Sequence, residues 1–233
     1  MLVIPSIDLQ AGRSRIVHWP GAASGEGAPT DRPERIADAF VRQGARLIHL
    51  VDVDGARAGR PVNLEPIGAI ASRVAVPLQV AGGLESAEAI RLAFAAGATR
   101  VVLSMAVADD AATLRGCQAV AGDWLAVGLD PRPDRLEAFP WTRARPSSVE
   151  VLADELAAAG VARFVVSHGD SDAGRSLIAH LVGRLDADVL VAGGVTDLPG
   201  LARLRELGVS GVILGEALLS GAIDFTHAME AAA

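Results

Sequence analysis

Two aspartates end apolar runs at matching places in the chain. Asp8 closes IPSID and Asp130 closes AVGLD, 122 residues later. A carboxylate at the tip of a buried strand is held by the strand while its oxygens reach solvent. A pair of such groups suits one general acid and one general base working on the same molecule. Paired glycines recur in the same rhythm: Gly82–Gly83 and Gly193–Gly194, each inside VAGG, with Gly215 later in the second stretch opposite Ser104 in the first. Glycine lets the backbone approach a ligand, and a helix start just beyond offers free N–H groups to an anion. Two such places point to a long substrate with a phosphate at each end. Asp52 and Asp54 end HLVD and its continuation, and Ser167, His168, Asp170 and Asp172 follow one another in VVSHGDSDAGR. Their spacing fits no zinc or calcium pattern, so no metal is expected, and loop capping and contacts to substrate hydroxyls are the reading. Trp141 in FPWTRARP either closes over a flat ring as a lid or pins its own loop.

The composition removes several chemistries. All 21 basic residues are arginine, so Schiff-base aldolase, covalent pyridoxal and Walker-lysine mechanisms have no amine to use. Tyrosine is absent as well. A net charge of −7 without a basic run argues against a nucleic-acid partner. The single cysteine, Cys117, is read as structural, and His18, His49, His180 and His227 as structural or surface residues. No leader pattern and no long apolar span is visible, so a soluble, cytoplasmic monomer without a membrane partner is expected.

What positions these residues is a series of short apolar runs at 2–7, 47–51, 78–81, 101–104, 125–129, 164–167, 189–192 and 212–214. They are too short for helices and too continuously apolar for one-sided sheets, as parallel strands buried on both faces are. Amphipathic stretches lie between them, including 33–43, 87–96, 148–159 and 198–207, and glycines at 44, 97, 160 and 208 close these four. The chain also repeats: 80–107 aligns with 191–218 without a gap, with 8 of 28 positions identical. The fold class is therefore α/β, a (β/α)₈ TIM barrel of two repeated half-barrels, about 1–122 and 123–233, in one domain spanning 1–233. An open doubly wound sheet is the alternative. In a barrel the first and fifth strands stand opposite, which faces Asp8 toward Asp130. The long connections at 11–31 and 131–147 would both lie on the C-terminal face, where barrel active sites are found.

IPSIDL, HLVDVDGARAGRPVN, the two AGG motifs, AVGLD and GVILGEALLSGAID together resemble, over nearly the whole chain, the barrel isomerases of histidine biosynthesis. IDL after the first strand, with no lysine in the first loop, favours that branch over its sister cyclase. The resemblance implies an Amadori rearrangement of phosphoribosylformimino-5-aminoimidazole carboxamide ribotide. This is a bis-phosphorylated aminoaldose, rearranged to an aminoketose without metal or organic cofactor. It implies Asp8 as proton acceptor and Asp130 as donor, with Arg15 as the first-loop arginine once one gap is allowed. Ser167 stands at a substrate-orienting threonine, Asp172 at the aspartate after the sixth strand, and Trp141 at the tryptophan after the fifth. The phosphate places fall on Gly82, Gly83 and Ser104, and on Gly193, Gly194 and Gly215.

The departures from the family pattern cluster at those phosphate places. Glu85 replaces an arginine, Ser104–Met105 a Gly-Ser pair, and Glu216 a basic residue. After the sixth strand, Ala173–Gly174 stands for Gly-Thr. A carboxylate about 4 Å from a phosphate costs about 4 kcal/mol at an effective dielectric of about 20. Glu85 is therefore expected to turn away or to weaken the first site. A divergent relative acting on a singly phosphorylated sugar, or a barrel that binds without turnover, are the competing readings.

Overall fold

Every one of the eight apolar runs forms a parallel strand. The computed structural model, which describes residues 1–16, 30–169 and 171–233, gives β1 Leu2–Gln10, β2 Ile48–Asp52, β3 Leu78–Ala81 and β4 Arg100–Leu103. The second half contributes β5 Leu125–Leu129, β6 Arg163–Ser167, β7 Asp188–Ala192 and β8 Gly211–Leu214. Each pairs with the next, and β8 returns to β1 with Leu2 opposite Gly211 and Pro5 opposite Leu214, so the ring closes. The open-sheet alternative is excluded by that last pairing. A two-residue antiparallel strand, Arg13–Ser14, folds back on the end of β1.

Helices fill the connections: α1 Pro33–Arg42, α2 Val53–Ala58, α3 Leu64–Ala71, α4 Ala87–Ala95, α5 Ala111–Ala121 and α6 Pro133–Ala138. They continue with α7 Val149–Ala158, α8 Asp172–Leu185, α9 Leu198–Glu206, α10 Glu216–Leu219 and α11 Phe225–Ala232. Gly44, Gly97, Gly160 and Gly208 all have positive φ just beyond α1, α4, α7 and α9, where the sequence places helix ends. The connection at 131–147, read as a bare loop, carries α6, begun by Pro133 in the first turn. Among the described residues no helix is long and apolar enough to cross a membrane.

Alternation along each strand divides the core in two. Outward positions such as Ile7, Leu9, Leu50 and Val127 pack under the helices, while Ile4, Val102, Ala126, Val165, Leu190 and Ile213 fill the barrel itself. The same alternation turns Asp8 inward above Ile4 and Ser6, and aligns Asp130 with Ala126 and Gly128. One inward row is polar: Ser6 pairs with His49, His49 with Gln79, and Gln79 with Arg100.

Candidate active site

At the C-terminal ends of the strands a cavity of about 350 Å³ opens, walled by His49, Gly82, Gly83, Glu85, Ser104 and Ser167 among others. Beside it a second cavity of about 310 Å³ runs along Gly193, Gly194, Gly215 and Glu216. The glycine pairs, Ser104, Gly215 and Ser167 are thus brought to the mouth from β3, β4, β6, β7 and β8. Asp8 and Asp130 stand outside the walls of the first cavity, at the ends of strands four apart in the ring. Their side chains are 30% and 22% exposed.

The two aspartates differ in what surrounds them. Burial raises the proton affinity of Asp8, the Arg15 guanidinium 3.9 Å away opposes this, and the charge of Glu216 reinforces it; the net displacement is upward. Arg15 is held there because its backbone N–H donates to the Asp8 carbonyl at 2.8 Å. Burial would raise Asp130 too, but Arg132 outweighs it. The Arg132 Nε donates to both carboxylate oxygens at 2.9 and 3.2 Å, Nη2 to Oδ2 at 2.5 Å and the backbone N–H to Oδ1 at 3.1 Å. His168 adds positive charge, and the carboxyl sits below its usual range. Sequence reasoning passed over Arg132, although an arginine two residues beyond a strand-end aspartate is well placed to fork onto it.

One expected contact is corrected. Asp52 is 1% exposed and does not reach the cavity. Its Oδ1 accepts from Gly55 N–H and Asn63 Nδ2, both at 2.7 Å, and its Oδ2 from the backbone N–H groups of Val62 at 2.7 Å and Asn63 at 2.9 Å. It follows inward Val51, so alternation turns it toward the helices. Asn63 and Asp54 extend this clasp to the first loop: Gly12 N–H donates to Asn63 Oδ1 at 2.9 Å, and Ala11 N–H to Asp54 Oδ2 at 2.7 Å. The HLVDVDG…VN motif therefore anchors the root of the loop that carries Arg15.

Trp141 pins its own loop as the structure stands. Its Nε1 donates to the Leu136 carbonyl at 2.9 Å, its ring meets Phe139 edge-to-face, and Arg143 lies over it at 5.1 Å. Asp172, first residue of α8, is fully exposed and ion-paired with Arg175, away from the cavity walls. Glu85 lines the mouth, and its Oε2 lies beside Gly59, 3.8 Å from where a Cβ on that glycine would stand. Ser104 caps the short 3₁₀ turn Met105–Asp109 through Ala106 N–H at 3.2 Å. His49, read as structural or surface, forms part of the cavity wall. His18 and Asp170 lie outside the described residues.

The glycine pairs have different reasons to be glycine. A Cβ on Gly82 would stand 2.1 Å from the Asp52 carbonyl oxygen, and one on Gly83 2.6 Å from Arg60, so the first pair is dictated by packing against the loop after β2. A Cβ on Gly193 meets nothing within 4 Å, and its φ of 77° is what favours glycine there. Gly193 thus leaves open space beside the backbone, as an anion site requires.

Residues 2–224 match the family model described as histidine biosynthesis protein. A protein of Rippkaea orientalis is 34% identical over 239 residues, covering 99% of this chain and 93% of its own length. One of Roseiflexus sp. is 34% identical over 236 residues, covering 99% of both. One of Moorella thermoacetica is 34% identical over 241 residues, covering 100% of this chain and 99% of its own. All three are called 1-(5-phosphoribosyl)-5-((5-phosphoribosylamino)methylideneamino)imidazole-4-carboxamide isomerase.

Proposed function

Because the chain belongs to the histidine biosynthesis protein family, we propose that it is the isomerase its relatives are named for, converting a bis-phosphorylated aminoaldose ribotide into the aminoketose. The rearrangement moves hydrogen within the substrate. The first sugar carbon is reduced as the second is oxidised, so neither an external redox partner nor a cofactor is needed. An acid protonates the ring oxygen and opens the sugar to an iminium. A base then removes the proton on the second carbon, its electrons neutralising the iminium nitrogen, and the resulting enol becomes the ketone as its hydroxyl releases a proton and the first carbon takes one up.

The observation that carries this reading is the pair of carboxylates at the C-terminal ends of strands on opposite sides of one closed barrel. Asp8 is the proton acceptor, as the resemblance to the isomerases implies. Asp130 is the donor partner, and Arg132 must release it before it can hold a proton to deliver. Phosphate groups sit at Gly193, Gly194 and Gly215 and at Gly82, Gly83 and Ser104; Glu85 makes the latter the weaker site. Arg15 and Ser167 contact the substrate from the first loop and the end of β6, and Asp172 and Trp141 join them once Arg175 and the Leu136 carbonyl release them.

The direct test is turnover of the aminoaldose ribotide by the purified protein. Asp8→Asn and Asp130→Asn are each expected to lower kcat by about 10²–10⁴-fold. Asp172→Asn separates contact from chemistry. A change confined to KM marks a contact, whereas a kcat loss matching that of Asp130→Asn would transfer the donor role to Asp172. A wild-type protein that neither turns the ribotide over nor rescues a histidine-requiring strain lacking the isomerase sinks the reading.

A further inference from the structure

His49 is 4% exposed, lines the mouth cavity and has no duty in the steps above. It sits one inward layer beneath Asp8, since Ser6 pairs with His49 and Asp8 with Val51, two residues on. Its Nδ1 is 2.9 Å from Gln79 Nε2. Gln79 is wholly buried, and its Oε1 is 3.1 Å from Arg100 Nη1.

These contacts fix every proton. A guanidinium only donates, so the amide of Gln79 must turn its oxygen to Arg100 and its NH₂ to His49. The NH₂ then donates to Nδ1, which therefore carries no hydrogen, and the neutral ring must hold its proton on Nε2. Burial keeps the ring uncharged by pushing its pKa down to about 4. Arg100 interacts with the Asp188 carboxylate as well as with Gln79, and its Nε is buried without a hydrogen-bond partner, a cost that goes with holding the guanidinium where Gln79 needs it.

We propose that Arg100, Gln79 and His49 form a relay inside the barrel that presents the Nε2–H of His49 at the floor of the mouth, as a donor to the sugar oxygen on the carbon that Asp8 deprotonates. This rests on the isomerase reading. The electrons of the broken C–H bond neutralise the iminium nitrogen, and the oxygen on that carbon gains negative charge afterwards, as the enol releases its hydroxyl proton on the way to the ketone. A neutral N–H beneath it stabilises that charge without taking up the proton. His49 touches substrate; Gln79 and Arg100 are positioning residues that act through it.

The tautomer is read first, without substrate, by NMR of ¹⁵N-histidine-labelled protein, in which the ring nitrogens report which of them is protonated. The wild type is expected to show Nε2–H. Gln79→Glu, which turns an acceptor toward Nδ1, should move the proton to Nδ1. In kinetics Gln79→Glu should lower kcat about 10²-fold with KM little changed. His49→Gln, whose amide nitrogen reaches where Nε2 stood, should retain at least about ten times the kcat of His49→Leu.

An Nδ1–H tautomer in the wild type, or an unmoved proton in Gln79→Glu, overturns the relay. Equal kcat losses in His49→Gln and His49→Leu overturn the donor role. A wild type without turnover overturns the isomerase reading and the sugar contact with it, while the ring spectrum still decides the relay.

Discussion

Histidine 49 couples the site to stability through its proton. In the folded chain burial holds its pKa at about 4, against 6.5 when exposed. As pH falls the unfolded chain therefore binds a proton first, and folding loses ground. The contribution is complete above about pH 6.5 and disappears between there and about pH 4, roughly 3 kcal/mol in all. Asp8 works in the opposite sense at lower pH, because its folded affinity is raised and its contribution is lost as pH climbs through the folded value. Urea unfolding at about pH 7 and about pH 5 should show His49→Gln losing about 2 kcal/mol less than the wild type over that interval. Equal losses would mean that the ring is hydrated and charges freely in the native state. For Asp130 the relevant neighbour is Arg132, whose fork keeps the carboxylate ionised and makes release of that arginine part of any proton delivery.

Among the elements, the two strand–loop–helix units that follow β3 and β7 are repeats with different packing. Both run from a glycine pair at positive φ to a side-chain helix cap: Ser86 accepts from Ala89 N–H and Asp197 from Gly200 N–H. In the first unit the loop after β2, organised by Asp52 and Asn63, presses against the glycines; in the second Gly193 faces open space. Gly82→Ala must therefore displace the Asp52 backbone as well as strain its own, and should cost about 3 kcal/mol or more, read as a fall in Tm of roughly 10 °C. Gly193→Ala bears only the left-handed strain, about 1 kcal/mol, and its methyl group fills ligand space, so its main effect should be a raised KM. Equal effects of the two on Tm would dissolve the distinction between a packing glycine and a binding glycine.

At the scale of the whole molecule, closure is what brings the site together. Asp8 and Asp130 belong to different halves, and the sheet joins the halves through β4 with β5 and β8 with β1. We infer that 1–122 and 123–233 are repeated halves of one domain. Each half by itself presents two unpaired strand edges and an uncovered apolar interior, which invites association. Either half expressed alone should sediment as a self-associated species, and the two together as a 1:1 complex that regains turnover. A stable monomeric half would mean that closure is dispensable.

Local pattern in the sequence determined the eight parallel strands, the helix ends at Gly44, Gly97, Gly160 and Gly208, and the inward placement of Asp8 and Asp130. Burial on both faces, glycine beyond a helix and period-two alternation are all written in neighbouring residues. Alternation even contained the outward turn of Asp52, had it been counted from Val51. What only the tertiary structure decided is which groups share a few ångströms: the Arg132 fork, the Asp52–Asn63 clasp, the pinned Trp141, and the relay in which Gln79 lies 30 residues from His49 and 21 from Arg100. Proton affinity and tautomer are set by burial and by partners within hydrogen-bond reach. Separation along the chain does not encode distance across a barrel.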